Sequence, residues 1–270
     1  MADVVFTMPG KVGDNLCRIP IAYQYGKQHG CRVDVCLDRG SGGLVTLLAG
    51  EPWVDQAFCT DGVVHYQQGG QPIDFGKGGE FWGRWQRVYH LGYRSYPVSN
   101  LTLATVNDTP IDQTALLTEP CLRFSRRPTR NILLHCESSR RNEDEFTAAT
   151  LADILDAAPL PFETLLIAHH QTRPEDPMYD RLRRHHHRLV HCPDFADIAR
   201  LAEDAVMFTT FSAASCLAYI AKLPLVVVFA GSTWLNHYDA GQSYYGLDSY
   251  ILDDRPRASA ALRERLTHGT

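Results

Sequence analysis

The sequence has no long apolar run, no charged tail and no tract dominated by one residue type. No stretch reaches the roughly 18 consecutive apolar residues that a membrane-spanning helix needs, so we expect no transmembrane segment. Residues 1–6 also lack the basic region that opens a secretory signal. We therefore expect a soluble, cytoplasmic protein.

A strong excess of charge of one sign is missing as well. The chain carries 26 Lys and Arg against 31 Asp and Glu, a net charge of -5. This balance argues against a protein that coats nucleic acid through charge alone. With 44% hydrophobic residues the chain is globular, and its 270 residues suffice for one large or two small α/β domains of roughly 100–200 residues each.

The eight cysteines include no CxxC pair. Several lie inside apolar runs, as Cys36 does within residues 33–37. A disulfide framework needs an oxidising compartment, whereas free thiols behave as small apolar core residues. We interpret the cysteines as free, buried thiols that fill the core.

Strands and helices alternate in two series, which predicts an α/β fold with parallel sheets. The first series runs from residue 4 to 58 and includes a helix that ends at Gly30. The second runs from 131 to 230, with helices from about Asp144 and over 179–187. We predict two Rossmann-like domains facing across a cleft, at residues 1–115 and 131–255, joined by a linker at 116–130 and followed by a C-terminal helix at 256–270.

The loop at residues 9–14 follows the first predicted strand. It has no Gly-Lys-Ser/Thr sequence and no GxGxxG fingerprint, which excludes a Walker loop and the usual dinucleotide turn. Asp14 stands at the start of the next helix. Its carboxylate suits either a helix cap or a general base, and the local sequence leaves both open, with the cap favoured.

Two further loops lie between a strand and a helix, where open parallel sheets bind ligands. The small residues at 212–215 leave backbone N–H groups at a helix N-terminus, which suits a phosphate, although ordinary capping by Ser212 is the simpler interpretation. In the loop at 138–141, Arg140 or Arg141 suits a diphosphate, and a solvated basic loop is an equal alternative.

Several segments together resemble the heptosyltransferase-like glycosyltransferases, glycosyltransferase family 9, which have the GT-B fold. They are residues 8–16 with Pro20, 31–37, 51–55, 195–201, 209–214 and 218–229. The resemblance implies an inverting, metal-independent transfer of a sugar from a nucleotide sugar, with no cofactor. It also makes the N-terminal domain the acceptor domain and the C-terminal domain the donor domain.

The resemblance assigns site residues by position. Asp14 matches the base that deprotonates the acceptor hydroxyl. The donor-binding set is Ser138, Ser139, Arg140, Arg141, His169, Ser212, Ala213, Ala214 and Ser215, and the acceptor-binding set is Lys11, Gly13, Arg18, Trp82 and Trp85. The sequence departs from the family at Thr210-Phe211, at Ala213, and at Ser215 or Cys216, so a heptose donor does not follow.

The acceptor has alternatives. Trp82, Trp85, Tyr89 and Tyr93 recur at helical spacing with arginines between them, a stripe that is more often core than binding surface. Exposed, it would suit a sugar, a nucleic-acid base or a peripheral membrane contact. We expect a glycan sugar as acceptor, and hydroxymethylated pyrimidine bases in DNA as the alternative. The basic cluster at 181–188 could meet phosphate.

Two other classes stay open. A non-catalytic nucleotide-sugar binding module would explain the departures at 210–216, and an epimerase could use the same fold. A metal site at residues 185–187 is rejected, because consecutive side chains on a helix point about 100° apart and cannot converge on one ion.

Overall fold

The computed structural model describes residues 2–8, 11–60, 84–91, 119–125, 130–138, 140–170, 175–231 and 249–268. The chain divides into two compact units, Met1–Arg123 and Phe124–Thr270. The division falls inside the predicted linker at 116–130. Trp82, Ser139 and Tyr93 lie outside the described residues.

The first unit contains a sheet of parallel strands in the order β3-β2-β1-β4. Its elements are β1 (Val4–Met8), α1 (Val12–Leu16), α2 (Ile19–His29), β2 (Val33–Asp38), a 3-10 turn (Arg39–Ser41), α3 (Gly42–Leu48), β3 (Val54–Thr60) and β4 (Arg87–His90). The order 3-2-1-4 is that of a Rossmann half, as predicted.

Local signals set the ends of helix α2. Pro20 occupies its first turn, where a missing N–H is tolerated. Gly30 ends it in the left-handed conformation, with φ 60° and ψ 31°, which glycine adopts without strain. The predicted C-cap is therefore confirmed.

Strand β4 corrects the prediction of a helical aromatic stripe. Tyr89 lies in this strand, in register with Phe6 of β1, and its ring stacks on Phe6 at 5.2 Å. Trp85 is only 7% exposed and stacks on Phe58 at 5.8 Å. Its Nε1 donates to Asp34 Oδ2 at 2.6 Å. The core interpretation holds for Trp85 and Tyr89, because pairing with β1 overrides the helical spacing.

The second unit contains a wider sheet of parallel strands in the order β10-β9-β8-β5-β6-β7. Its elements are β5 (Ile132–His135), α4 (Arg141–Ala157), β6 (Leu165–His169), 3-10 turns (Pro177–Tyr179 and Leu182–Arg184), β7 (His187–His191), α5 (Phe195–Ala202), β8 (Val206–Thr209), α6 (Ala213–Ile220), β9 (Leu225–Phe229), β10 (Tyr250–Leu252) and α7 (Arg255–His268). Numbered within the unit, the order is 3-2-1-4-5-6, the doubly wound Rossmann arrangement.

Helices cover both faces of this sheet, as its apolar strands require. Helices α4 and α7 pack with Ile132 and Leu134 of β5 in one core cluster. Helix α6 contacts β8 and β9 and contributes nothing to that cluster, so it lies on the opposite face. Among the described residues, no helix has the length and apolar character to cross a membrane.

The helix predicted over 179–187 is wrong. The chain forms two single 3-10 turns there and then enters β7, where His187 pairs with Leu165 of β6. Arg181 binds Asp153 and Asp156 of α4, each at 2.6 Å, which holds this polar segment against the helix. These contacts, rather than an apolar period, set its conformation, and they neutralise much of the predicted basic cluster.

All eight cysteines are free thiols, as predicted. Six of them are buried, whereas Cys31 is exposed and Cys59 is half-buried. Core filling therefore describes most of the cysteines but not Cys31, which follows the C-cap of α2 at the surface.

Candidate functional site

The order of the strands in the second sheet points to a candidate site at the carboxyl ends of two central strands. Strands β5 and β8 are neighbours, and the connections that follow them run to opposite faces of the sheet. Such a switch point is where open α/β sheets bind ligands, beyond the carboxyl ends of the strands. The loops at 136–140 and 210–212 leave the sheet at this point, and both contain predicted donor-binding residues.

Helix α6 begins at the switch point with a neutral cap. Ser212 Oγ accepts from Ala214 N at 3.2 Å, and Ser215 Oγ accepts from Ser212 N at 3.1 Å. The first turn contains no acidic residue. Capping by Ser212 is thus confirmed, and the positive end of the helix dipole is not compensated by a carboxylate within that turn.

The loop after β5 is held by Asp144 from the first turn of α4. Ser138 N donates to both carboxylate oxygens of Asp144, at 3.1 and 3.2 Å. Asp144 is only 5% exposed, and this burial raises its pKa to about 6 against the lowering effect of the bonds from Ser138. The helix begins at Arg141, three residues earlier than predicted.

The two arginines of this loop differ. Arg141 binds Glu145 at 2.8 Å and Asp176 at 2.7 Å, and these partners raise its pKa. Its guanidinium is therefore engaged within the fold, and a diphosphate would have to compete with two carboxylates. Arg140 is the N-cap residue of α4 and is exposed.

His169 lies one strand away from the switch point, at the end of β6. It is 6% exposed, and its ring stacks on His191 of β7 at 5.2 Å. The following residue, His170, donates its backbone N–H to Glu137 Oε2 at 2.6 Å, which ties this strand end to the loop after β5. The structure thus places His169 beside the other predicted donor residues rather than among them.

One histidine at the switch point escaped the sequence-based prediction. His135 is the last residue of β5 and is 4% exposed, and no described residue bonds its Nδ1. Its pKa is lowered to about 4, mainly by burial, with the nearby Glu137 opposing this shift and His170 adding to it. The available signal was a histidine closing a buried strand directly before the loop at 136–140.

In the first unit, the switch point lies between β1 and β4, and the predicted base follows β1. Asp14 is half-buried in the first turn of α1, and its Oδ2 accepts from Lys11 N at 3.1 Å. The capping interpretation of Asp14 is therefore confirmed. Lys11 is exposed and Gly13 half-buried, so both remain near the surface of this loop.

Arg18 and Trp85, both predicted to bind the acceptor, are interior residues. Arg18 is fully buried between α1 and α2, and its Nη1 donates to Asn15 Oδ1 at 3.4 Å. Asn15 in turn donates to Ser41 Oγ at 2.7 Å. Arg18 therefore contacts α1 from the interior, and Trp85 contacts β2 and β3 through Asp34 and Phe58.

Metal ligation has no support within the described parts of the chain, where no three His, Cys, Asp or Glu side chains are grouped to hold an ion. Residues 185–187 are among these described residues.

Comparison with solved structures identifies the fold. The ADP-heptose LPS heptosyltransferase II of E. coli superposes with a TM-score of 0.56 at 11% identity, over 98% of both chains. The E. coli heptosyltransferase WaaC, solved with ADP-2-deoxy-2-fluoro heptose, gives 0.53 at 10% identity over 99% of both chains. A family 9 glycosyltransferase of Veillonella parvula gives 0.56 at 10% identity, over 98% of this chain and 97% of the other.

No protein-family model matches the sequence, and no curated protein is similar to it. At these identities the solved structures establish the fold, which is that of the heptosyltransferase-like glycosyltransferases. The resemblance seen in the sequence is confirmed at this level. Mixed α/β architecture with parallel sheets is confirmed with it.

Proposed function

We propose that this protein is a glycosyltransferase that moves a sugar from a nucleotide-sugar donor to a hydroxyl acceptor. The observation that carries the proposal is the likeness to heptosyltransferases over nearly the full length of both chains. The site supports it, because the switch point of the second sheet combines a neutral helix N-terminus with the loop after β5. Fold alone does not determine chemistry, which depends on the residues at the two switch points.

The second unit would bind the donor. A nucleoside diphosphate leaving group carries negative charge that must be stabilised as the glycosidic bond breaks. The N-terminus of α6 offers backbone N–H groups and a positive dipole end at residues 212–215, and Arg140 is exposed nearby in sequence on the loop after β5. Such stabilisation needs no metal ion, in line with the metal-independent mechanism that we infer.

The first unit would bind the acceptor, with Asp14 as general base. As the acceptor oxygen attacks the anomeric carbon, its proton passes to the Asp14 carboxylate. The new carbon–oxygen bond forms as the bond to the diphosphate breaks, and attack from the opposite side inverts the anomeric centre. Asp14 is half-buried in the first turn of α1, directly after the loop that follows β1, and its Oδ2 accepts from Lys11 N.

We infer a glycan sugar as the acceptor. The name of one structural neighbour, an LPS heptosyltransferase, motivates this choice. The basic cluster at 181–188 gives the DNA alternative no support, because the arginines at 181 and 183 bind Asp153, Asp156 and Asp180. A protein that grips a duplex needs such cations directed toward phosphates.

A panel of nucleotide sugars tests the proposal by thermal shift, followed by turnover with the best donor. A true donor raises the melting temperature, because it binds the folded state alone. Release of nucleoside diphosphate in the presence of a glycan acceptor supports a transferase. Binding without turnover on any acceptor indicates a binding module, and epimer formation without acceptor indicates an epimerase. No shift with any donor contradicts the proposal.

A further inference from the structure

His135 is a buried polar group that the fold leaves unsatisfied. Its side chain is 4% exposed, and no described residue bonds its Nδ1. Most buried polar atoms in proteins have a partner, so an unpaired one requires a reason, such as a bound water or a ligand. Its position at the end of a central strand points to a ligand.

Strand register places this imidazole on the face that α6 covers. Side chains alternate along a strand, and Ile132 and Leu134 belong to the core cluster on the opposite face. His135 is in register with Thr209, the last residue of β8. Thr209 Oγ1 donates to the carbonyl of His135 at 2.7 Å and lies 3.4 Å from Oγ of Ser212, the N-cap of α6.

The neighbouring polar groups are already engaged. Ser212 Oγ accepts from the backbone of α6, and the N–H of Ser138 donates to Asp144. The imidazole thus brings the switch point a hydrogen-bonding group that the fold has not used. Burial keeps its pKa near 4, so at neutral pH it offers one N–H donor and one acceptor nitrogen.

We propose that the imidazole of His135 donates a hydrogen bond to a diphosphate oxygen of the nucleotide sugar, beside the N-terminus of α6. The inference rests on the proposed function and adds a donor-binding residue to it. A neutral donor suits this position, because it binds a phosphate oxygen without requiring a buried cation when no nucleotide is bound.

Isothermal titration with ADP, GDP, CDP and UDP tests the role of the imidazole. The proteins are the unsubstituted chain, His135→Leu, His135→Asn and the control His187→Asn. His187 is the first residue of the edge strand β7, and its Nδ1 lies 2.9 Å from the backbone carbonyl oxygen of His185. For the diphosphate that binds best, we expect His135→Leu to weaken the Kd about 10- to 100-fold, since a hydrogen bond to a charged group is lost.

The conservative variant and the control complete the pattern. The amide N–H of His135→Asn can replace the Nδ1 donor, so we expect a Kd within about 5-fold of the unsubstituted chain, and His187→Asn should bind within about 2-fold. The melting temperature of free His135→Leu should equal or exceed that of the unsubstituted chain, because no buried polar atom is left unpaired.

Two results overturn the inference in distinguishable ways. Equal binding by the unsubstituted chain and His135→Leu shows that the imidazole is structural and leaves the proposed function standing. If the unsubstituted chain binds none of the four diphosphates, both the role of His135 and the proposed glycosyltransferase function are overturned. If His135→Leu does not fold, ¹⁵N-histidine spectra of the unsubstituted chain decide, since the diphosphate must shift the ring nitrogens of His135 and spare those of His187.

Discussion

The two units share the order of strands around their switch points but differ in the helix that follows. In the first unit, α1 carries Asp14 in its first turn, and the carboxylate accepts a backbone N–H there. In the second, α6 starts with Ser212 and has no acidic residue in its first turn. One helix start is therefore already satisfied by a negative charge, and the other by neutral hydroxyls.

This difference supports the proposed division of donor binding and acceptor activation between the two units. A carboxylate at a helix N-terminus occupies the positive end of the dipole and repels a further anion. Under the proposed function, the start of α6 in the second unit therefore suits a diphosphate, whereas the start of α1 in the first unit holds a carboxylate that would accept a proton. The two sheets share the order of strands around their switch points, and we propose that the residue at each helix start separates the donor unit from the acceptor unit.

Removal of the negative charge of Asp14 in the first unit should have the largest effect on turnover. Asp14→Asn keeps an acceptor for Lys11 N but cannot take the proton of an acceptor hydroxyl, so we expect turnover to fall about 100- to 10,000-fold with donor binding unchanged. Steady-state rates and donor titrations measure the two quantities. Asp38→Asn is the matched control, because Asp38 is the last residue of β2 and caps the following 3-10 turn through Gly40 N. Equal turnover in both variants would show that Asp14 is only a cap.

Introduction of a negative charge at the start of α6 in the second unit should have the next largest effect, on donor affinity. Ser212→Asp retains a good N-cap but places a carboxylate at the start of α6, and we expect donor affinity to fall about 10-fold or more through repulsion. The neutral control is Ser212→Asn, which caps the helix without charge. Titration with the donor compares them, and similar affinities for the two variants would separate this helix from diphosphate binding.

The burial of Asp144, which holds the loop after β5, predicts that the free energy of unfolding depends on pH. The pKa of Asp144 is about 6 in the folded state and 3.8 when unperturbed, so the folded state holds the proton more tightly. Its ionisation therefore destabilises the fold, fully above about pH 6 and not at all below about pH 4.

The variant Asp144→Asn removes this titration. Its free energy of unfolding relative to the unsubstituted chain should rise by about 1 to 3 kcal/mol between pH 4 and pH 8, as urea unfolding at both ends measures. Asp180→Asn is the control, because Asp180 is an exposed residue of the same unit. A difference that does not change with pH would contradict the assigned pKa.

Loss of the cap alone should have the smallest effect. Ser212→Ala removes the acceptor for Ala214 N and should destabilise the second unit by about 1 kcal/mol, lowering its melting temperature by about 2 to 5 °C. Asp194→Ala removes the corresponding bond to Ala196 N in α5 and should do the same. A much larger loss in Ser212→Ala alone would mean that Ser212 does more than cap.

Local signals predicted much of the fold. The apolar strands β1 and β9 and the Gly30 cap of α2 follow from composition and backbone preference, which act within a few residues. Strand β4 could not be predicted from such local signals, because Arg87–His90 becomes a strand only by pairing with β1. The segment at 179–187 failed for the same reason, since ion pairs with α4 hold it in turns.

The candidate site divides in the same way. The sequence predicted the loops at 138–141 and 212–215, because a strand followed by small or polar residues and a helix is a local pattern. It did not predict that Arg141 is bound by Glu145 and Asp176, nor that Nδ1 of His135 has no hydrogen-bond partner among the described residues. Both facts depend on residues that only folding brings together.

By itself the sequence determined the type of each switch-point helix start, acidic at Asp14 and neutral at Ser212, because caps are built from residues within three positions of one another. The tertiary structure decided which strand ends are neighbours. The pairing of His135 with Thr209 joins two loops 74 residues apart, and that pairing depends on burial of the whole sheet between its helices.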